Sequence, residues 1–387
     1  MTARGNRVIP VLIAVFALSG LLGPFLNQAP NRLVSGTPIA IWQALDRPIL
    51  FLIVAFAGLL IAVSRVGATP NLHRAMLVLA TVLFLLLLYG AGKGAIFFMG
   101  GAALAARVSL GWGFWLMVLC AAFAIVDAAQ RMNLPPRKRL ILACAFLVYL
   151  VAMAMNGTFD QLSLTRELAI RRGAFLAELA RHGELVVGAI VPALLIGVPL
   201  GLWATRRPRV RPVLFGTLNV LQTIPSVALF GLLIGPLSAL AVAVPAVGAL
   251  GIHGIGMAPA LVALVLYALL PIVRNSAAGI EAADPAIIEA ARGMGFAPRQ
   301  ILWHAQVPLG LPVFLAGLRI VLVQTIGLAV IAALIGGGGL GSFIFQGIGQ
   351  NAIDLVLLGA IPVTLLALAA DFVLQLAVAT FEQRSRR

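Results

Sequence analysis

The chain has 387 residues, 62% of them hydrophobic and only 10% charged, with a mean hydropathy of +1.09. A soluble domain carries about 25% charged residues, so the polar surface is too small to coat a water-facing globule, and a soluble enzyme is excluded. Lys and Arg number 27 against 12 Asp and Glu, a net charge of +15, and they cluster between apolar runs. That distribution belongs to a polytopic membrane protein rather than a nucleic-acid binder. Cys120 and Cys144 lie inside apolar runs, which excludes a disulfide scaffold.

A membrane helix needs about 20 apolar residues. Ten runs qualify: 8–26, 48–64, 75–89, 112–127 and 139–155, then 184–204, 213–234, 258–280, 311–335 and 356–380. They are rich in Leu and Ala without strict alternation, so the fold class is all-α and not a barrel. The first run is a retained helix: it is longer than the apolar part of a secretory signal, and Asn27-Gln28-Ala29-Pro30 offers no small-x-small cleavage site.

Orientation follows from the basic clusters. With the N-terminus in the cytoplasm, the cytoplasmic segments hold Arg4 and Arg7, Arg65 and Arg74, then Arg131, Arg137, Lys138 and Arg139. They also hold Arg206, Arg207, Arg209 and Arg211, then Arg274, Arg292, Arg299 and Arg319, and finally Arg384, Arg386 and Arg387. These are 19 of the 27 bases, which meets the positive-inside rule and puts both termini in the cytoplasm.

The chain divides into a five-helix block 1–155, a segment 156–183, a second five-helix block 184–380 and a basic tail 381–387. In 156–183, Leu164, Leu168, Phe175, Leu176 and Leu179 alternate with Arg166, Glu167, Arg171, Arg172, Glu178 and Arg181. This predicts an amphipathic helix on the outer face of the membrane.

The connection from Arg274 to Pro308 is too long for a simple turn. Asp284 is an N-cap followed by Pro285 at the first helical position, and 286–292 is helix-forming. Gly293 and Gly295 end that helix. Pro298 opens a second short helix, Arg299 to Val307, ended by Pro308. The resulting elbow is expected to expose Ile287, Ile288, Phe296, Ile301, Leu302 and Trp303 in a loop without net charge, the mark of a partner site. Ala290 and Ala291 are small enough to admit another backbone. The plain alternative is a loop folded back on the membrane helices.

These residues carry a resemblance. Glu289-Ala290-Ala291, three residues, Gly295, nine residues and Ala305-Gln306-Val307-Pro308 resemble the EAA loop of ABC-importer permeases, with departures at Ala305 and Val307. Residues 222–226 (QTIPS), 267–275 (YALLPIVRN), 290–295 (AARGMG) and 335–341 (IGGGGLG) are similar to permeases for glycine betaine, choline and related osmoprotectants. The extra N-terminal helices make the chain look most like the YehY type within that group.

The resemblance implies a methionine-importer-like permease core over 184–380, with the EAA loop at 281–308 seated in a groove of a cytosolic ABC ATPase. Glu289 would touch the ATPase, Ala290 and Ala291 would permit close seating, Gly295 would make the turn and Pro308 would set the return into the membrane. It also implies a second permease, the same chain or a different one, and an outer-face or periplasmic solute-binding protein. The setting would be the bacterial plasma (inner) membrane, multi-pass and in contact with lipid. ATP would be used by the partner, with no cofactor held by this chain and no nucleic acid bound. A permease for an amino acid or sulfonate, or a secondary carrier needing no ATPase, are the competing readings.

Polar groups inside a membrane face a cavity or each other. Asn219, Gln222 and Ser226 follow i, i+3, i+7 in the run 213–234, where Pro225 permits a bend, and Gln324 and Thr325 lie at comparable depth on the ninth helix. They are candidates for the translocation path, with interhelical hydrogen bonding as the structural alternative. Phe230 and Tyr267 are the few mid-depth aromatics, so strong recognition of a cation is expected in the binding protein. Asp371 is expected to pair with Arg319. The Gly336–Gly341 run lacks the Lys-Ser/Thr ending of a phosphate loop and reads as a tight turn. His73, His182, His253 and His304 show no metal spacing, and no catalytic constellation can be assembled.

Overall fold

The computed structural model describes residues 8–31, 34, 36–66, 69–103, 105–132, 134 and 136–385. Arg4, Arg7, Arg386 and Arg387, and the side chains of Arg137 and Arg384, lie outside the described residues. Contacts divide the chain into two units, Met1–Ile170 and Arg171–Arg387.

The first unit contains α1 (Val8–Leu22), β1 (Leu26–Ala29), β2 (Thr37–Ile39), α2 (Ile41–Ala44), α3 (Arg47–Val66), α4 (Pro70–Met99), β3 (Arg107–Leu110), α5 (Trp112–Arg131), α6 (Pro136–Met155) and α7 (Ser163–Ile170). Apolar faces of α1, α3, α4 and α5 enclose a core that includes Phe16, Leu60, Met76, Leu83 and Phe114. At one end sits an antiparallel sheet of order β2-β1-β3, with Leu26 opposite both Ile39 and Leu110. Phe25 packs edge-on against Phe114, centroids 5.4 Å apart. The sheet is unexpected from sequence because its strands span only three or four residues, too short for an alternating pattern to register.

Two helix lengths differ from expectation. Helix α1 has only 15 residues before the chain turns into β1, short of crossing length. Helix α4 runs on to Met99, past the expected end at 89. Gly90, Gly92 and Gly94 read as helix breakers, yet here they admit close neighbours. A Cβ at Gly90 would meet Leu45, and one at Gly94 would sit 2.8 Å from the Ala44 carbonyl.

The second unit contains α8 (Arg172–Arg206), α9 (Val210–Thr223), α10 (Ser226–Ala243), α11 (Pro245–Ala249), α12 (Met257–Glu281), α13 (Pro285–Gly293), α14 (Pro298–Ile301), α15 (Val307–Leu328), α16 (Gly341–Gly349) and α17 (Ile353–Ser385). Helix α12 is its centre, packed by α8, α9, α10 and α15, while α17 covers α15 and α16. Leu185, Ala189, Phe230, Leu264, Tyr267 and Val321 are among its buried residues. Nine helices among the described residues are long and apolar enough to cross a membrane, and α1 is a shorter tenth.

The expected amphipathic helix at 156–183 is not one element. Residues 163–170 form α7, and from Arg172 the chain is already in α8, which continues unbroken to Arg206. Two of its charges, Glu178 and Arg181, have partners within the unit. Glu178 Oε2 accepts a hydrogen bond from the Gly339 N–H at 2.5 Å, and Arg181 Nε donates to the Gly337 carbonyl at 3.3 Å. The glycine run is the tight turn expected: Gly336, Gly338 and Gly339 all have positive φ. It leads into the nine-residue α16, which is hidden in the sequence because glycines begin and end it.

The run 213–234 is likewise two helices. Ile224 and Pro225 are extended (ψ 126° and 137°) and separate α9 from α10, because proline lacks the N–H needed to carry α9 forward.

Candidate functional site

Helix α13 begins as expected: Asp284 accepts from the Ala286 N–H at 2.9 Å, and Pro285 occupies the first turn. It ends on Gly295 in the left-handed region, φ +83°. The Phe296 N–H reaches the Ala291 carbonyl at 3.1 Å and the Gly295 N–H reaches that of Arg292 at 2.9 Å. This paired closure fixes the elbow's angle. Gln300 Oε1 then accepts from the Ala297 N–H at 2.7 Å to start α14.

The second arm differs from expectation. No separate helix ends at Pro308. A π-helical turn, Leu302–Gln306, joins α14 directly to α15, with the Val307 N–H bonded to the Leu302 carbonyl. The wider turn accommodates the Pro308 ring, which would crowd a carbonyl one α-turn back. Pro308 is therefore an early residue of a continuous rod, not a terminator.

The elbow's outer surface carries Glu289, Ala290, Ile287, Phe296 and Trp303, and also Met294, which is 70% exposed and was not anticipated. Ala291, Ile301 and Leu302 are buried, and Ile288 is half-buried. Ala291 thus packs beneath the elbow and is absent from its exposed face; its methyl suits the small space under the closing turn. Alternation of polar and apolar residues could not reveal which apolar side chains turn inward.

Within the second unit the five candidate path residues separate. Asn219 Oδ1 accepts from Arg274 Nη2 at 2.8 Å, at the exposed end of α9. Gln222 Nε2 donates to the Tyr267 carbonyl at 2.8 Å, and the Tyr267 hydroxyl donates to the Ile224 carbonyl. The α9–α10 break is therefore anchored on α12, with Ser226 half-buried just beyond it. Gln324 is exposed. Thr325 is 3% exposed and its hydroxyl returns to the Val321 carbonyl at 2.8 Å, so it is a packed residue and not a path-lining one. A continuous face of Asn219, Gln222 and Ser226 is corrected too, because Pro225 divides them between two helices. Asp371 pairs with Arg319 as expected.

A second clasp was missed. Arg211 pairs with Glu281 at 2.5 Å, and Arg211 and Arg274 both approach the Phe215 ring, at 5.6 and 6.0 Å. It ties the start of α9 to the end of α12, three residues before the α13 cap. Basic clusters were counted for topology alone, which hid this pairing.

Residues 6–165 match the family model described as ABC transporter permease YehY, N-terminal domain, and residues 197–387 match binding-protein-dependent transport system inner membrane component. The chain is 39% identical over 199 residues to the carnitine transport permease protein OpuCB of Listeria monocytogenes, covering 51% of this chain and 84% of that protein. It is 40% identical over 201 residues to the osmoprotectant import permease protein OsmW of Salmonella typhimurium (52% and 88%). It is 35% identical over 205 residues to the choline transport system permease protein OpuBB of Bacillus subtilis (53% and 87%). Among solved structures, the inward-facing MetNI methionine ABC transporter is similar, with 24% identity and a TM-score of 0.46, covering 53% of this chain and 97% of that one.

Proposed function

We propose, from the premise that this chain belongs to the binding-protein-dependent transport system inner membrane component family, that it is the permease of an ATP-driven importer of small osmoprotectants such as glycine betaine, choline or carnitine. The chain is an integral inner-membrane protein and a membrane subunit of a transporter. Curated relatives named for osmoprotectant, carnitine and choline transport support the solute class.

The observation that carries the mechanism is the elbow. Glu289 has no ion-pair partner among the described residues, and Ile287, Met294, Phe296 and Trp303 stand exposed around it. An apolar patch rimmed by a free carboxylate fits a protein partner, and here that partner is a cytosolic ATPase. Glu289 and Ala290 meet its surface, Gly295 sets the elbow's angle, and Ala291 supports the elbow from beneath. ATP is hydrolysed on the ATPase, and the closing motion passes through the elbow to α15 as a rigid-body shift. A solute-binding protein delivers cargo from the outer face, and a second permease, the same chain or another, completes the pathway. Asn219, Gln222, Ser226 and Gln324 border that pathway, with the Pro225 break giving α9 freedom to move. With the shorter α1 counted as a tenth crossing, both termini face the cytoplasm.

The test is labelled betaine uptake, with co-purification of the ATPase, in cells carrying Glu289→Arg or Met294→Arg. Surface changes of this type alter folding stability by only about 0.5 kcal/mol, so chain abundance is expected to hold while ATPase retention and uptake both fall. Normal retention and uptake in both variants would overturn the docking role. Competition by amino acids or sulfonates as strong as by choline would overturn the solute class.

A further inference from the structure

Beside the elbow, two cavities adjoin. One, of about 250 Å³, is walled by Val198 and Leu202 of α8, Gly279 of α12, and Leu311 and Phe314 of α15, with Trp303 at its side. Its polar side chains among the described residues are Gln306, Ser276 and the indole N–H of Trp303, and Ser276 is already bonded to the Ile272 carbonyl at 2.7 Å. The other, of about 500 Å³, is bordered by Thr205, Arg206, Glu281, Glu289, Arg292 and Gln306. Leu202, Ile280 and Gln306 line both.

Along all three walls, polarity changes in the same direction. On α8 the order is Val198, Leu202, Thr205, Arg206, a rise of about 12 Å from first to last. On α12 Ser276 and Gly279 lead to Ile280 and Glu281, and on the rod Phe314, Leu311 and Val307 lead to Gln306. The polar end coincides with the end of an apolar span and with the cluster Arg206, Arg207, Arg209 and Arg211, where a bilayer's headgroups would lie. Glu281 is occupied by Arg211, whereas Arg206 and Arg292 have no ion-pair partner among the described residues.

We infer that the two cavities form one site for a single membrane phospholipid, its acyl chain in the apolar chamber and its phosphate against Arg206 and Arg292. Guanidinium groups recognise phosphate through paired N–H donors, and the chamber below them is lined mostly by carbon, with Ser276, Gln306 and the Trp303 indole N–H as its polar groups. Free phosphate satisfies only the upper half, and an uncharged detergent only the lower. Glu289 on the same rim is placed to accept from the ammonium of an ethanolamine headgroup. The site does not depend on which solute is carried, and it shares Glu289 and Trp303 with the elbow surface proposed above to meet the ATPase.

The test uses the full-length chain in a maltoside micelle with palmitoyl-oleoyl-phosphatidylethanolamine added back, read by native mass spectrometry. Wild type is expected to hold one lipid tightly. Arg206→Glu with Arg292→Glu, and separately Val198→Trp, which fills the chamber from a half-exposed position, should each lower retention about tenfold. Excess inorganic phosphate should leave the lipid in place. A second reading needs no altered cavity: a bromine-labelled acyl chain should quench wild-type tryptophan fluorescence more than that of Trp303→Phe. Retention unchanged in both cavity variants, displacement by phosphate alone, or equal quenching with and without Trp303 would each overturn the inference.

Discussion

Single glycines set the tolerances of the second unit, for two different reasons. At Gly295 nothing lies within 4 Å of where a Cβ would stand, so the constraint is its φ of +83° alone. Gly295→Ala should cost about 1–2 kcal/mol through the left-handed backbone. At Gly310 the φ is ordinary, but a Cβ would collide with the Gly279 carbonyl where α12 and α15 cross. Gly310→Ala must push two helices apart, a cost of roughly 1–3 kcal/mol or more. Thermal unfolding in detergent should therefore rank Gly310→Ala below Gly295→Ala, while betaine uptake at equal abundance suffers in both. Gly295 was legible in the sequence, because a glycine after a capped helical stretch is a stop signal. Gly310 carried no such signal, since its reason lies on another helix.

At the scale of elements, most spans were readable from apolar length, and the misreadings came from charge and proline. Charged residues 171–184 made α8 look as if it began at 184, although Glu178 and Arg181 are spent on the glycine turn between α15 and α16. Pro225 suggests a bend in one helix and is a break between two; Pro308 suggests a stop and is carried by a π-turn. Proline guarantees a missing donor, and only the surrounding turn decides whether the helix breaks or continues. The elbow itself was legible because caps and glycines are local signals, whereas the burial of Ala291 and Thr325 depends on neighbours distant in sequence. The Glu178 clamp yields a direct expectation. Glu178→Gln weakens a charge-assisted bond to the Gly339 N–H worth roughly 1–2 kcal/mol. Amide exchange at 337–340 should accelerate about tenfold while exchange in the middle of α12 stays unchanged.

For the whole molecule, the placement of charge along the chain is what speaks to topology. On the proposed topology the passages after α8 are the broken α9–α10 pair, α12, the α14–α15 rod and α17, an even number. Reporter fusions after Arg207 and at the C-terminus should thus report the same, cytoplasmic compartment, and one after Gly251 the opposite one. The rod from Pro298 to Ile335 spans 38 residues, roughly 55 Å at helical rise, against about 30 Å of hydrocarbon. It bears on α12 at Gly310, about a third of the way along. Taken as a pivot, that crossing divides the rod unequally: the arm ending in the elbow is about half as long as the arm ending at the glycine turn. Each ångström of sideways travel imposed at Pro298 would then become about two at Ile335, so a small stroke at the elbow is amplified at the glycine turn.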